Sequence, residues 1–438
     1  MKKNNKSQKS LRKVVLLLIV ALIAITAVVA QTTAYTIYII GDSTVCDYAE
    51  SKYPWAGWGQ VFSKFFKPGS VVVSNQAIGG RSTKSFYVEG RWKTNVYNVL
   101  KKGDFVFIQF GHNDRDYNKP ERYADTTLYK DYLRKYVNES RSKQAIPVFV
   151  TPMNMNTWTN STTLREVFTE RSRGADYRGA MINVANELKV PLIDLEKKSA
   201  AYMKSVGQAY CTSYLFMGLQ KGEYPNYPDG YSDGTHFQEM GAIINARMVA
   251  EGVKELASHA DVGKLSAVLA PLYKLTVTPN KANTGLVTVS GDFPAGVTIT
   301  VKVMPNSGQT FENWADKSGK SVSTKKLYTF TMPEAPVIMN AMFKGGSAVG
   351  VLNHGADTKI IGTAFSISMN PHRRIFTVSS GDPLRMVQLF DISGRCVFSQ
   401  VCKNEYNMDI ATEELGSGNY MVRVTTEKNC ISKNLQIP

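Results

Sequence analysis

Cysteine is scarce in this chain. Its 438 residues include five, Cys46, Cys211, Cys396, Cys402 and Cys430, and none of them falls in the paired spacing that ligates a metal. The odd number leaves at least one thiol free or intermolecular. Cys396 and Cys402 are a candidate bridge that sequence spacing alone does not decide. A chain of this length supports about three domains by the usual prior of roughly 150 residues each, so a core of ordinary size needs no disulfide staples. Concentrated charge is also missing. The formal net charge is +16, but six of the basic residues lie before Val14, and the remaining +10 divides evenly between residues 31–270 and 271–438. Basicity spread in this way does not make a nucleic-acid-binding patch. It gives only a mild attraction to acidic polymers.

The long apolar run that is present, Val14 to Ala30, is interrupted only by Thr26 and follows Lys2, Lys3, Lys6, Lys9, Arg12 and Lys13. This pattern reads as a secretory signal peptide, residues 1–30, cleaved after Ala30. An uncleaved anchor is the alternative, because the run approaches the length of a membrane span. No cysteine follows the cleavage point, so nothing points to a lipoprotein.

From Tyr35 to Leu256 apolar β-prone runs alternate with helical patterns. Strands are expected at 36–40, 71–74, 105–110, 146–151 and 190–195, and helices at 57–66, 127–140, 175–189 and 238–256. Near-continuous apolar strands suit a parallel sheet buried on both faces, and β–α alternation predicts a doubly wound three-layer α/β fold. Around Pro271 the character changes. Val297 to Val303 alternates strictly, and 328–332 and 338–343 are short strands between Pro and Gly clusters, the mark of an all-β module. A glycine-rich linker over 345–355 leads to a second β module with strands at 386–390, 396–401 and 420–425 and a turn at 392–395. The expected division is signal peptide 1–30, α/β domain 31–270, β module 271–345, linker 346–375 and C-terminal β module 376–438.

Chemistry gathers at the strand ends. The run ending at Ile40 stops at Gly41 and hands over to Asp42, Ser43 and Thr44, which read either as a helix cap or as a nucleophile beyond the carboxyl end of a strand. Gly79-Gly80-Arg81-Ser82 follows the second strand, and paired glycines let backbone N–H groups approach a ligand. Gly111-His112-Asn113-Asp114 follows the third, where an amide side chain supplies an uncharged donor. Tyr231-Ser232-Asp233-Gly234-Thr235-His236-Phe237 opens the last helix, and its Asp and His lie close enough for one loop to deliver both. Taken singly, each is an ordinary turn or cap. Together, in this order, they form a constellation.

The four blocks resemble the SGNH, or GDSL, hydrolase superfamily, which contributes Ser, Gly, Asn and His in this chain order. Within it the chain looks most like rhamnogalacturonan acetylesterases, through Gly41-Asp42-Ser43-Thr44, Gly57-Trp58-Gly59, Gly80-Arg81-Ser82, Gln109 to Asp114, and Gly222 to Pro228 leading to Thr235-His236-Phe237. The resemblance implies a flavodoxin-like fold and a secreted serine esterase that needs neither metal nor other cofactor. Ser43 would be the nucleophile, His236 the base and Asp233 the carboxylate orienting it. The backbone N–H groups of Ser43 and Gly80 and the amide of Asn113 would form the oxyanion hole. The implied partner is an acetylated acidic polysaccharide. Arg81 is a candidate for its carboxylates, and Tyr87, Trp92, Trp158 and, less so, Trp58 are candidates for stacking on its sugars, although aromatics also pack and Arg81 could brace its own loop. One departure is Thr151 to Trp158, where such acetylesterases often carry basic residues, so the sugar bound could differ.

Residues 271–345 are similar to small bacterial β-repeat modules. Residues 376–438 are similar to C-terminal sorting domains of type nine secretion, which implies secretion machinery as a partner, passage across an outer membrane and removal of the domain. A carbohydrate-binding β-sandwich is the rival for that region. The expected location is secreted or at the cell surface, with the periplasm as the alternative and membrane contact only through the signal peptide. The rival functions are deacetylation of another polysaccharide such as xylan, general small-ester hydrolysis, and glycan binding by an inactive hydrolase fold.

Overall fold

The computed structural model describes residues 35–169, 176–281, 284–306, 309–344, 365–370, 375–391, 396–402, 405–411, 415, 418–427 and 430–437. The expected signal peptide, most of the linker and the turn at 392–395 lie outside them.

The strands of the first region are β1 (Tyr35–Gly41), β2 (Trp55–Ala56), β3 (Val71–Asn75), β4 (Phe105–Gln109), β5 (Ile146–Val150), β6 (Leu192–Ile193), β7 (Phe216–Leu219) and β8 (Tyr231–Gln238). Five of them form one parallel sheet in the order β3-β1-β4-β5-β6. This is the flavodoxin-like winding, and its switch point lies between β1 and β4, where such sheets open a crevice beyond their carboxyl ends. The period of two along a strand sends alternate side chains to opposite faces. Phe105 and Phe107 enter the core beneath helices Trp58–Phe62 and Glu239–Glu255, while Val106 and Ile108 enter the core beneath Thr126–Ser142 and Tyr177–Leu188. The five expected strands and four expected helices are all present. Helix Thr83–Val88, capped by Ser82, and helix Leu195–Val206 are additional.

The stretch expected as a loop before the last helix is instead strand β8, which joins β2 and β7 in a second, antiparallel sheet. The Asp-Gly pair reads locally as a turn, but pairing on both sides overrides that preference.

Among the described residues beyond Pro271 the strand pairing is antiparallel apart from the parallel pairing of Leu272–Pro279 with Val337–Lys344. This region does not stand off from the α/β region. Phe293, Ile299, Val301 and Phe343 belong to the same apolar core as Ile37, Trp58 and Met248. At the junction, Tyr214 donates to the carbonyl of Leu286 at 2.7 Å and the N–H of Val289 donates to the Tyr210 hydroxyl at 3.1 Å. Lys302, on strand Thr298–Pro305, donates to the carbonyl of Ser213 at 2.7 Å and pairs with Glu223, both side chains being about 95% buried. Burial pushes the Lys302 ammonium down and Glu223 opposes that. Removing one partner of a buried pair strands the other charge at a cost of about 3–5 kcal/mol. Lys302→Ala should therefore lose stability of that order in denaturant unfolding, and Lys302→Met with Glu223→Leu should recover most of it. Unchanged stability in Lys302→Ala would contradict this role.

The described residues between 365 and 437 form two antiparallel sheets around their own core, which includes Phe376, Val387, Leu389 and Val422. Cys396 and Cys402 carry free thiols there.

Candidate active site

Gly41 ends β1 where a Cβ would lie 2.8 Å from both the Gln109 carbonyl oxygen and Val45 Cγ2. The chain turns at Asp42, whose buried carboxylate accepts from the Thr44 N–H at 2.9 Å and its hydroxyl at 2.8 Å, and whose carbonyl accepts from the N–H groups of Val45 and Cys46. Gln109 at the end of β4 donates to the Thr44 hydroxyl and accepts from the Trp58 indole, each at 2.8 Å. The turn that carries Ser43 is thus tied to β4 and to helix Trp58–Phe62. Trp58 is fully buried in this role and offers no face to a sugar.

The imidazole reaches Ser43 from β8. Between Asp233, opposite Met217, and Phe237, opposite Phe216, the ladder slips, so residues 234–236 bulge out of the sheet. Bulges of this kind re-aim side chains beside active sites. Within the bulge one carboxylate oxygen of Asp233 accepts from the N–H of Thr235 at 2.6 Å and of His236 at 3.1 Å. The other oxygen lies 2.7 Å from His236 Nδ1, and His236 Nε2 lies 2.8 Å from Ser43 Oγ. Burial raises the Asp233 carboxyl pKa, but the imidazole and the two backbone N–H groups outweigh it and hold the group below the usual carboxylate range. From the neighbouring loop the N–H of Asn156 donates to the Gly234 carbonyl at 2.8 Å and pins the bulge.

The glycine loop comes in from β3. The N–H of Ile78 donates to the Gly41 carbonyl, and a Cβ on Gly79 would lie 3.6 Å from Ser43 Cβ. Gly80 has φ +79°, a backbone that favours glycine. Asn113 donates one amide N–H to the Arg81 carbonyl at 2.9 Å, which joins the third block to the second. Asp114 accepts from the N–H of Thr83 at 3.0 Å and from its hydroxyl at 2.5 Å, a second tie between these blocks. Full burial and the nearby Asp42 charge push Asp114 up to about 7, against the Thr83 bonds. A folded-state value above the unfolded one means the native state binds the extra proton, so stability falls as pH rises from about 4 to about 7. Asp114→Asn should flatten part of that fall in a pH series of melting temperatures. Other carboxylates that burial raises add to the same fall, among them Glu196 to about 7 and Glu239 to about 6, with Asp47 and Asp104 in the same direction. An unaltered slope would contradict the assignment.

Ser43, His236 and Asp233 therefore lie in one hydrogen-bonded chain, with Gly80 and Asn113 in the two loops beside it. Among the candidate substrate contacts, Arg81 is engaged by Glu89 and by the Gly79 carbonyl at 2.9 Å, so its side chain braces its own loop. Trp92 is buried with its indole on Glu139, and Tyr87 packs against Tyr132 and Tyr136 with its hydroxyl on the same carboxylate. Trp92 completes the core around helix Thr126–Ser142 and offers no face to a sugar, while Tyr87 is half-buried against the same core. Trp158 is half-buried, donating to Asn156 in the loop that pins the bulge. The unforeseen neighbours are Tyr48, which donates to the Ser43 carbonyl at 2.7 Å, Trp55, whose ring centroid lies 4.8 Å from that of His236, and Arg122, whose guanidinium lies against Gly80. A further buried pair, His112 Nδ1 with Asp42 at 3.1 Å, lies beneath the turn. Among the described residues no group of three or more His, Cys, Asp or Glu could hold a metal ion.

A strand-end serine within hydrogen-bond reach of a carboxylate-oriented histidine, on a flavodoxin-like sheet, has the SGNH arrangement, and the chain belongs to the GDSL-like lipase/acylhydrolase family, whose profile matches residues 39–242. It is a carboxylic ester hydrolase similar to rhamnogalacturonan acetylesterases. It is 40% identical over 220 residues to the rhamnogalacturonan acetylesterase RhgT of Bacillus subtilis (strain 168), covering 50% of this chain and 90% of that protein. It is 38% identical to the probable rhamnogalacturonan acetylesterase YesY of the same organism, over 50% of this chain and 93% of that one. A crystal structure of the YxiM protein from Bacillus subtilis is 28% identical, covers 52% of this chain and 58% of its own, and superposes with a TM-score of 0.42. Residues 273–347 match a divergent InlB B-repeat domain, and residues 369–438 match a secretion system C-terminal sorting domain. The latter marks the chain for secretion or surface export. Among the described residues no helix is long and apolar enough to cross a membrane.

Proposed function

We propose that the protein is a secreted serine carbohydrate esterase that removes O-acetyl groups from pectic rhamnogalacturonan. The observation that carries the mechanism is the chain Asp233–His236–Ser43, with separations of 2.7 and 2.8 Å. His236 Nε2 takes the proton from Ser43 Oγ as it attacks the acetyl carbonyl, a contribution of about 10² to 10⁴ in rate. Asp233 holds the Nδ1–H tautomer and stabilises the imidazolium. The developing oxyanion lies among the N–H groups of Ser43 and Gly80 and the second amide N–H of Asn113. The imidazolium gives its proton to the departing sugar oxygen, which leaves as the free hydroxyl, and Ser43 Oγ is left carrying the acetyl group as an ester. Water deprotonated by His236 then attacks that ester, acetate departs, and Ser43 regains its proton.

The acidic polymer is supported by the two named relatives and by Arg122. Its Nη2 is held by Asp116 at 2.6 Å, while Nη1 lies 3.6 Å from where a Cβ on Gly80 would be, so a guanidinium faces the loop that borders the acetyl group. The chain-wide division proposed is a signal peptide over 1–30, the esterase domain over 31–270, the repeat module over 271–345, a linker over 346–375 and a type nine sorting domain over 376–438 that is removed on export. A glycan-binding protein with a dead site is disfavoured by the intact three-residue chain.

Acetate release from acetylated rhamnogalacturonan, acetylated xylan and an aryl acetate tests the substrate. Preference for the first supports the reading, and preference for xylan overturns it. Asn113→Ala should lower kcat on any of these esters by about 10² to 10³, with KM changed much less. A loss confined to KM would remove Asn113 from the oxyanion hole.

A further inference from the structure

We propose that Tyr48, Trp55, Tyr231 and Tyr227 form an aromatic strip that binds neutral pyranose rings of the polysaccharide next to the acetylated sugar, an inference that rests on the polysaccharide esterase reading above. The strip begins at the reacting groups. Tyr48 donates to the carbonyl of Ser43, and its ring stacks on Trp55 at 5.4 Å with an angle of 18°. Trp55 meets the His236 ring at 4.8 Å and continues to Tyr231 at 5.6 Å, which meets Tyr227 at 5.4 Å. The four rings are thus consecutive neighbours leading outward from the serine and the histidine. Tyr231 is 39% exposed, and the other three are half-buried.

A strip that merely filled a core would be covered, and one on a mobile loop would be poorly held. Neither holds here. Trp55 and Tyr227 rest on an apolar cluster of Met217, Leu219 and Tyr224, with Leu327 of the repeat region packed against it. Tyr227 donates to the Lys52 carbonyl at 3.2 Å and Asn226 to the Tyr53 carbonyl at 2.9 Å, which fasten the loop from Gly222 to Pro228 to the segment carrying Trp55. The rings are therefore set before a ligand arrives, which limits the ordering cost of binding. Uncharged rings suit the C–H faces of a neutral sugar. The cationic contact lies elsewhere: the strip reaches Ser43 by way of His236, whereas Arg122 approaches by way of Gly80. A polymer that alternates acidic and neutral sugars would find both.

Tyr231→Ala and Trp55→Phe test this. The Trp55 indole N–H has no acceptor in the protein, so the Phe variant removes ring area and no protein hydrogen bond. For each variant kcat/KM should fall on acetylated rhamnogalacturonan about 2- to 10-fold further than on para-nitrophenyl acetate, chiefly through KM. Equal loss on both esters overturns the proposal. A binding arm uses Ser43→Ala and deacetylated rhamnogalacturonan and xylan oligosaccharides, with tryptophan fluorescence as the readout, since Trp58, Trp92 and Trp314 are fully buried and leave Trp55 and Trp158 to respond, and Tyr231→Ala separates the two. Saturable quenching that weakens in Tyr231→Ala supports the strip, and no quenching with either sugar overturns it. If the parent releases no acetate from rhamnogalacturonan, the substrate reading fails separately, and the strip is judged on the xylan oligosaccharide alone.

Discussion

Ser43→Ala should abolish acetate release, with a loss in kcat on the order of 10⁶, while leaving the fold intact. The side chain is half-buried at the end of β1, and its hydroxyl is the partner of His236 Nε2 at 2.8 Å. The turn itself is held by other groups: the Asp42 carboxylate, the Gln109 amide and the Tyr48 hydroxyl on the Ser43 carbonyl. Removing one oxygen therefore deletes the proposed nucleophile and leaves the turn, the β1–β4 crevice and the aromatic strip in place. The melting temperature should match the parent within a degree or two. Activity above about one part in a thousand with an intact fold would show that another group attacks the ester.

Asp233→Asn should lower kcat by roughly 10⁴. The substituted amide keeps an oxygen to accept from the N–H groups of Thr235 and His236, so the bulge between Asp233 and Phe237 survives. Its NH2 would face Nδ1 and force the proton onto Nε2, which then presents a donor to Ser43 where an acceptor is required. Burial without the negative charge also removes the stabilisation of the imidazolium. Measured with an aryl acetate, a loss of less than tenfold would show that the 2.7 Å contact holds the ring in place without contributing charge.

The residues legible in the sequence were those whose local chemistry repeats their structural role. Apolar runs ending in glycine and oxygen-bearing side chains mark strand ends, so Ser43, Gly80 and Asn113 are legible as candidates in the sequence, and the structure brings their loops together. Asp233 and His236 could be found as well, although the element that carries them could not. Asp-Gly signals a turn, and only pairing with β2 and β7, distant along the chain, makes 231–238 a bulged strand. Trp55 lacked any local signal. It sits in a two-residue strand whose partner, Gln238, is remote in sequence, and its place beside His236 is a tertiary fact. The burial of Trp92 is illegible for the opposite reason, since an aromatic in a helical segment reads the same whether it meets solvent or Tyr136. Lys302 is comparable. In an alternating strand a lysine is expected to point outward, and its inward position exists only because Glu223 and the carbonyl of Ser213 receive it.

The most direct measurement is peptide mass analysis of the protein acid-quenched during turnover of acetylated rhamnogalacturonan oligosaccharides. The expected result is one added acetyl group on the peptide containing Ser43, absent from Ser43→Ala. Acetate release that continues while Ser43 is never acetylated, or an acetyl group trapped on another residue, would contradict the account.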